Sequence, residues 1–554
     1  MTQDVDSFVT AGNEALAAAE WTRARDSFHA ALEVRRTAKA LIGMGEALWW
    51  LGKLDESIGF REQGYAALRR EPDPSQAALT ALLLCMDYWK HMGNRAAAAG
   101  WLARASRLVE DFALEETRGW LLIVGSETLV DPESGEQEAR RALELARRTG
   151  DIDLELCALS QIGALLVRQS KVTEGVAYLD ESMAGCLSGE GGNPDTVVLC
   201  SCNMITSCTR SAEFERVVEW VRAADRFAKR YGCPFLYAEC RTYYGGTLVA
   251  TGDWRQAEVE LTAAIEISRS SVPEYHRQAL SSLAELRLAQ GRIEEAERLV
   301  GGLEDHAVAA PALARIHQLR GRPAAAAAAA RLALQEQEYG EERPESAPLL
   351  ELLGELEIGH GDAEKAAERG RALDALGTER GSPLIRTRGE RLLGTALAAC
   401  GAPAATRHLE SAVTGFLRLE MPYEAARSRL LLAETLFDAE PESAVIQARA
   451  ALSAFETLGA EQGADAAAAL LRRLGVRAAR IGPKGLPTLS KREREVLALL
   501  GEGLSNPGIA DRLYLSRKTV EHHVAHVLSK LGVRSRAEAA AVAARHLGAG
   551  PAAK

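Results

Sequence analysis

Along most of the chain, apolar residues recur at helical spacing, and the runs are broken by a glycine and a short polar turn. LWWLGKLDESI, LVATGDWRQAEV, RLAQGRIEEAER, HQLRGRPAAAAA, EIGHGDAEKAAE and LAACGAPAATRH share one layout: an apolar helical end, a glycine, a polar turn, then a small residue opening another amphipathic helix. The glycines are Gly52, Gly252, Gly291, Gly321, Gly361 and Gly401, with Gly93 a further candidate. Glycine can adopt the left-handed conformation that ends a helix, so each unit predicts a helical hairpin. Gly45, Gly245, Gly354 and Gly394 stand two helical turns before four of these glycines, on the same helix face, where they can let a partner helix approach closely. Residues 110–250 are the least regular part. SGEGGNPD, Ser188 to Asp195, reads there as an internal loop, and a repeat break, a hinge or a subdomain boundary would all look like this.

The layout resembles the tetratricopeptide repeat. Phe8, Ala11, Gly12, Ala15, Ala24, Phe28 and Ala31 fall at that family's signature positions, with Arg36 where proline is usual. Successive turn glycines are about 30 to 41 residues apart, against 34 in the ideal repeat, so the register is degenerate. Stacked hairpins make a concave surface that binds peptides, partner domains or ligands. Trp49, Trp50, Trp101 and Trp254 read as hairpin packing.

The pattern changes near the C-terminus. GVRAARIGPKGLPTL, Gly475 to Leu489, interrupts helical periodicity and reads as a linker. Four short helical segments follow, opened by Ser490, Ser505, Ser516 and Ser535, with Glu493 and Glu538 placed to close capping boxes. Val496, Leu499 and Leu500 line the first, Ile509, Ala510 and Leu513 the second, and Val520, Val524, Val527, Leu528 and Leu531 the third. The short gap at Tyr514–Leu515 joins two helices in the manner of a helix-turn-helix, and a three-helix core with one helix left over is expected. The third helix then exposes Arg517, Lys518, Glu521, His522, Ala525 and Ser529, a face suited to a DNA major groove. Arg517, Lys518 and Thr519 are candidates for phosphates, Glu521 for a cytosine amino group, and His522 for a base or phosphate.

Composition adds limits. Aromatic residues are 5% of the chain, alanine is abundant and prolines number 18, so an all-α protein with almost no sheet is expected. The acidic start MTQDVDSFVT lacks a secretory pattern, and Ala324 to Ala330 is far shorter than a bilayer span, so a cytoplasmic protein without membrane contact is expected. Nine cysteines include no CxxC pair, and the loose group Cys200, Cys202, Cys208, Cys233 and Cys240 reads as small buried thiols. Residues 484–554 hold twelve Lys/Arg against six Asp/Glu, a balance of +6, which leaves −17 of the chain's −11 for residues 1–483. A basic end of this kind is the footprint of a phosphate-binding segment. No phosphate loop supports catalysis: GEALWWLGKL, the nearest approach, has the wrong spacing and no Ser/Thr after its lysine. No cofactor, catalytic residue or metal site is expected, and His522 and His526, although four apart, lack the glutamate of HExxH because His523 stands there.

Across Leu489–Ala540 the chain resembles the DNA-binding domain of the LuxR family of transcription regulators, in REREVL, GLSN, IA, LS, KTVE, H and KLGVRSR. The resemblance implies that Glu521, His522 and Ala525 face bases, with Ser516, His526 and Lys530 completing the DNA-binding set. It further implies that Ala539, Val542 and Ala543 support dimerisation on double-stranded DNA and that RNA polymerase is a partner. Pro507–Gly508 departs from the family, and Gly508 should cost about 1 kcal/mol of helix propensity. The body is similar to the sensor part of large ATP-binding LuxR regulators, whose ATPase motif is not found. The expected organisation is a tetratricopeptide-like array over 1–474, a linker over 475–488 and a LuxR-type helix-turn-helix domain over 489–548, forming a dimeric regulator whose body binds an effector or partner protein. The alternative is an interaction scaffold with only non-specific DNA affinity.

Overall fold

A computed structural model describes residues 2–68, 70, 73–128, 131–269, 272–336, 346–476, 491–513, 515–531, 533 and 535–547. Among the described residues every regular element is helical. The chain divides into two compact units, Met1–Thr435 and Leu436–Lys554.

The first unit is a succession of antiparallel hairpins, beginning with Thr2–Ala17 and Trp21–Val34, then Ala38–Trp50 and Leu54–Leu68, and ending with Pro422–Thr435. Each helix packs on the next in the chain, which buries a continuous apolar seam without any sheet. The turn glycines behave as the pattern predicts: Gly52, Gly93, Gly252, Gly291, Gly321, Gly361 and Gly401 all have positive φ. The earlier glycines are contact points. A Cβ at Gly245 would lie 2.6 Å from Leu261 Cγ, and one at Gly394 2.8 Å from Leu409 Cγ. Gly354 differs, because its crowding comes from Leu392, one helix beyond its immediate hairpin partner.

Two expectations change. Phe8, at a signature position, is among the exposed large apolar side chains, while Phe28 packs with Val5, Val9, Ala15, Ala24 and Ala31 and crowds Gly12. The described residues of 110–250 are helical apart from short turns. They form regular helices from Glu115–Thr128 to Pro234–Thr251, and the left-handed residues between them are of mixed type, Gly150, Gly189 and Gly232 but also Ala113, Ser170 and Ala212, which blurs the glycine pattern. The SGEGGNPD segment is a tight connection between Val172–Ser188 and Pro194–Ser211, pinned by Asp153, which accepts from the amides of Gly192 at 3.1 Å and Asn193 at 3.2 Å. Of the grouped cysteines, Cys200, Cys208, Cys233 and Cys240 are buried and Cys202 is half-buried.

The second unit contains one hairpin, Pro441–Leu458 with Glu461–Arg473, and four C-terminal helices, Lys491–Gly501, Asn506–Leu513, Arg517–Leu531 and Arg536–Leu547. Most of the expected linker, from residue 477 onward, and Ser490 lie outside the described residues.

Candidate nucleic-acid interface

Serine caps set the starts of the C-terminal helices. Ser505 Oγ accepts from Gly508 N at 3.4 Å, Ser516 Oγ from Thr519 N at 3.1 Å, and Ser535 Oγ from Glu538 N at 3.2 Å. The first three helices bury the apolar positions read from their period: Val496 and Leu500, Ile509 and Ala510, Val520, Val524 and Val527. Tyr514, in the turn, lies outside the described residues.

The fourth helix corrects the expected three-helix core. Ala539 and Ala543 are buried in the same cluster, and Gly501 makes room for this packing, since a Cβ there would lie 2.8 Å from Ala543 Cβ. Small residues on both sides let the first and fourth helices come close enough to share one core. Ala539 and Ala543 are buried within the domain, whereas Val542 is half-buried.

Two arginines that sequence reading counted only as charge are internal braces. Arg492 donates to Leu513 O at 2.6 Å, capping the end of the second helix. Arg536 donates to Asn506 Oδ1 at 2.7 Å and to Leu504 O, tying the fourth helix to the turn before the second. Nothing in the local pattern distinguishes them from surface cations.

The third helix is held by its buried valines so that its opposite face is free. Arg517, Lys518, Glu521, His522, Ala525 and His526 are exposed and Thr519 is half-buried. Ser516, also exposed, is bonded to Thr519, Oγ to Oγ1 at 2.7 Å, which fixes the first turn. Arg517 and Glu521 lie 3.3 Å apart on this surface. Their exposed pairing is worth about 0–1 kcal/mol, so it opens readily when stronger partners arrive. The His522 and His526 rings lie side by side with centroids 5.4 Å apart, and His526 Nδ1 is 3.9 Å from Glu493, a buried carboxylate of the first helix. The side chain of Lys530 is outside the described residues.

Two helices joined by a tight turn, the second of them presenting a polar face with cations at its N-terminal end, define a helix-turn-helix. Residues 487–543 match the family described as bacterial regulatory proteins, luxR family, so the C-terminal segment is a LuxR-family helix-turn-helix domain. The transcriptional regulatory protein LnrK of Bacillus subtilis is 48% identical over 64 residues, 12% of this chain and 29% of that protein. The DNA-binding transcriptional activator DevR/DosR of Mycobacterium tuberculosis is 46% identical over 78 residues, 14% of this chain and 35% of its own length. The oxygen regulatory protein NreC of Staphylococcus aureus is 50% identical over 50 residues, 9% of this chain and 23% of that protein. The chain thus spans about a third or less of the length of these relatives. A chain of the crystal structure of the APC/C hetero-tetramer Cut9-Hcn1 aligns over 85% of this chain and 96% of its own at 13% identity with a TM-score of 0.30, a likeness too weak to carry an argument.

Proposed function

We propose that this chain is a sequence-specific DNA-binding transcription regulator, dimeric on double-stranded DNA, whose helical-hairpin body binds an effector or partner protein. The observation that carries this reading is the third helix of the LuxR-family domain: Val520, Val524 and Val527 lock it into the core while Arg517, Lys518, Glu521, His522, Ala525 and His526 stand clear. In this reading Arg517, Lys518, Thr519 and Ser516 meet phosphates at the helix start, where backbone amides and cations both favour anions. Glu521 leaves Arg517 to accept from a cytosine amino group, His522 and Ala525 lie against neighbouring bases, and His526 and Lys530 flank them.

Because Ala539 and Ala543 fill the domain's own core, pairing is assigned to the outer side of the fourth helix, with Val542 as its apolar member. The working organisation is a body over 1–474, a linker over 475–488 and the DNA-binding domain over 489–548. The setting is the cytoplasm, with RNA polymerase as the partner on DNA. Among the described residues no helix is long and apolar enough to cross a membrane.

Selection of binding sites from random-sequence DNA by the full chain tests the reading. A two-fold symmetric site is expected. Lys518→Ala should weaken all sequences alike and lower the salt slope of log K by about 1, while Glu521→Ala should change base preference at one position of each half-site. Salt-dependent binding without any enriched site would overturn the reading in favour of a scaffold with non-specific DNA affinity.

A further inference from the structure

Helices of the first unit, from Ala38–Trp50 to Pro273–Ala289, surround a cavity of about 490 Å³. That volume lies within the range of about 300–1,000 Å³ typical of small-molecule sites. Leu79, Leu83, Met86, Ile123, Val198 and Leu199 supply an apolar lining, and Trp49 and Trp120 add aromatic faces.

The polar groups at the same cavity are unevenly matched. Four acidic side chains, Glu46, Asp87, Glu127 and Asp195, line it together with two strongly basic ones, Arg61 and Lys90. Arg61 is held between Asp87 at 2.6 Å and Glu46 at 2.9 Å, and Lys90 faces Glu127 at 3.5 Å. His91 adds no cation, because burial, with Lys90 and Arg61 nearby, pushes its pKa down to about 3. Asp195 is the surplus: its Oδ1 is buried and makes no hydrogen bond. Burial, reinforced by Glu46 and only partly opposed by Arg61, holds that carboxyl well above the usual range.

The backbone marks the same place independently. Asp87, Lys90 and His91 are carried by Asp87–His91, a π-helical turn that widens the end of the helix Pro74–Met86. Such turns within α-helices frequently accompany binding sites, because the altered register re-aims side chains that a regular helix would direct elsewhere.

We infer that this cavity takes a small amphipathic organic amine, its apolar portion against Leu79, Leu83 and Val198 and its ammonium donating to Asp195 beside Glu46. As the effector site of the body, it rests on the regulator reading above. A carboxylate or phosphate is disfavoured, since both lining cations are already paired and the open position is acidic.

The test uses the full chain with three probes of equal length, n-octylamine, octan-1-ol and octanoate, followed by calorimetry and by quenching of tryptophan fluorescence. The amine is expected to bind about ten-fold or more tighter than the other two. Asp195→Asn should abolish most of that preference while leaving the alcohol's affinity unchanged, and Leu83→Trp should weaken all three by filling the cavity. Equal or tighter binding of octanoate or octanol, survival of the amine preference in a folded Asp195→Asn protein, or no probe binding to folded wild type would each overturn the inference. DNA affinity measured with and without saturating amine separates the two claims. A change supports the effector role, whereas unchanged DNA affinity with amine bound overturns that role and leaves the ligand class standing.

Discussion

Two clusters of charge lie inside the hairpin array, and they are built differently. Between residues 315 and 427 the signs alternate without a gap. Arg315 meets Glu355, Glu355 meets Arg427 at 2.9 Å, Arg427 meets Glu424 at 3.0 Å, Glu424 meets Arg391, and Arg391 meets Glu351 at 2.7 Å, which also binds Arg388 at 2.6 Å. Arg391 is fully buried there, its guanidinium also lying over the Phe416 ring. Around the N-terminal cavity, by contrast, three ion pairs made by two cations leave one carboxyl over and an apolar space beside it. The ladder joins helices through alternating pairs, with the buried Glu285 carboxyl beside it pushed up to about 7 by burial; the cavity cluster differs in keeping an apolar space that a ligand can fill.

The ladder should therefore be the more costly to cut. Arg391→Ala leaves Glu351 and Glu424 facing each other's side of a buried gap, and removing one partner of a buried pair costs about 3–5 kcal/mol. Denaturant unfolding of the full chain should show that loss. A cost under about 1 kcal/mol would mean that solvent already screens the ladder as it does a surface pair.

Acid should unzip the ladder next. Its arginines, Arg315 first, hold the Glu355 carboxyl down to about 2 against strong opposing burial, and Arg391 holds Glu424 well below the usual range. A carboxyl depressed in the folded state stabilises above its unfolded value, here 4.5, and that stability is lost as pH falls through the folded value. The contribution of Glu355 is on the order of 3 kcal/mol. The unfolding midpoint of wild type should fall steeply between those two pH values, and Glu355→Gln should flatten the slope by about one proton. A variant with an unchanged slope would remove Glu355 from the account.

What the sequence disclosed follows the same divide between local and assembled features. Gly52, Gly252 and Gly401 announced their turns because left-handed backbone favours glycine wherever it occurs. Ser505, Ser516 and Ser535 announced helix starts, and the valines of the third helix fixed which face it exposes, all within a few residues of chain. The packing of Ala543 on Gly501 was not legible, since an alanine stripe on a short helix fits either a core or a partner surface. The cavity was less legible still. Its acids come from helices as far apart as Glu46 and Asp195, each a single polar residue on a largely apolar face. Asp195 itself was noticed only as the end of a glycine-rich segment, whose tight pinning by Asp153 depends on a helix some forty residues away.

The smallest expected effect sharpens the comparison most. If Asp195 serves a ligand and not the fold, Asp195→Asn should change stability by no more than about 0.5 kcal/mol, the range of substitutions that remove no native partner. Two terms oppose each other. Asp195 sits in the first turn of Pro194–Ser211, where a negative charge is worth about 0.3–1 kcal/mol against the helix dipole. Burial first, then Glu46 and Asp87, against the opposing Arg61, raise its carboxyl well above the usual range and so weaken that helix-dipole contribution. Thermal unfolding of the full chain decides it: a near-silent substitution beside a strongly destabilising Arg391→Ala would separate a charge kept for binding from charges kept for structure, and a large loss at Asp195 would place it among the structural ones.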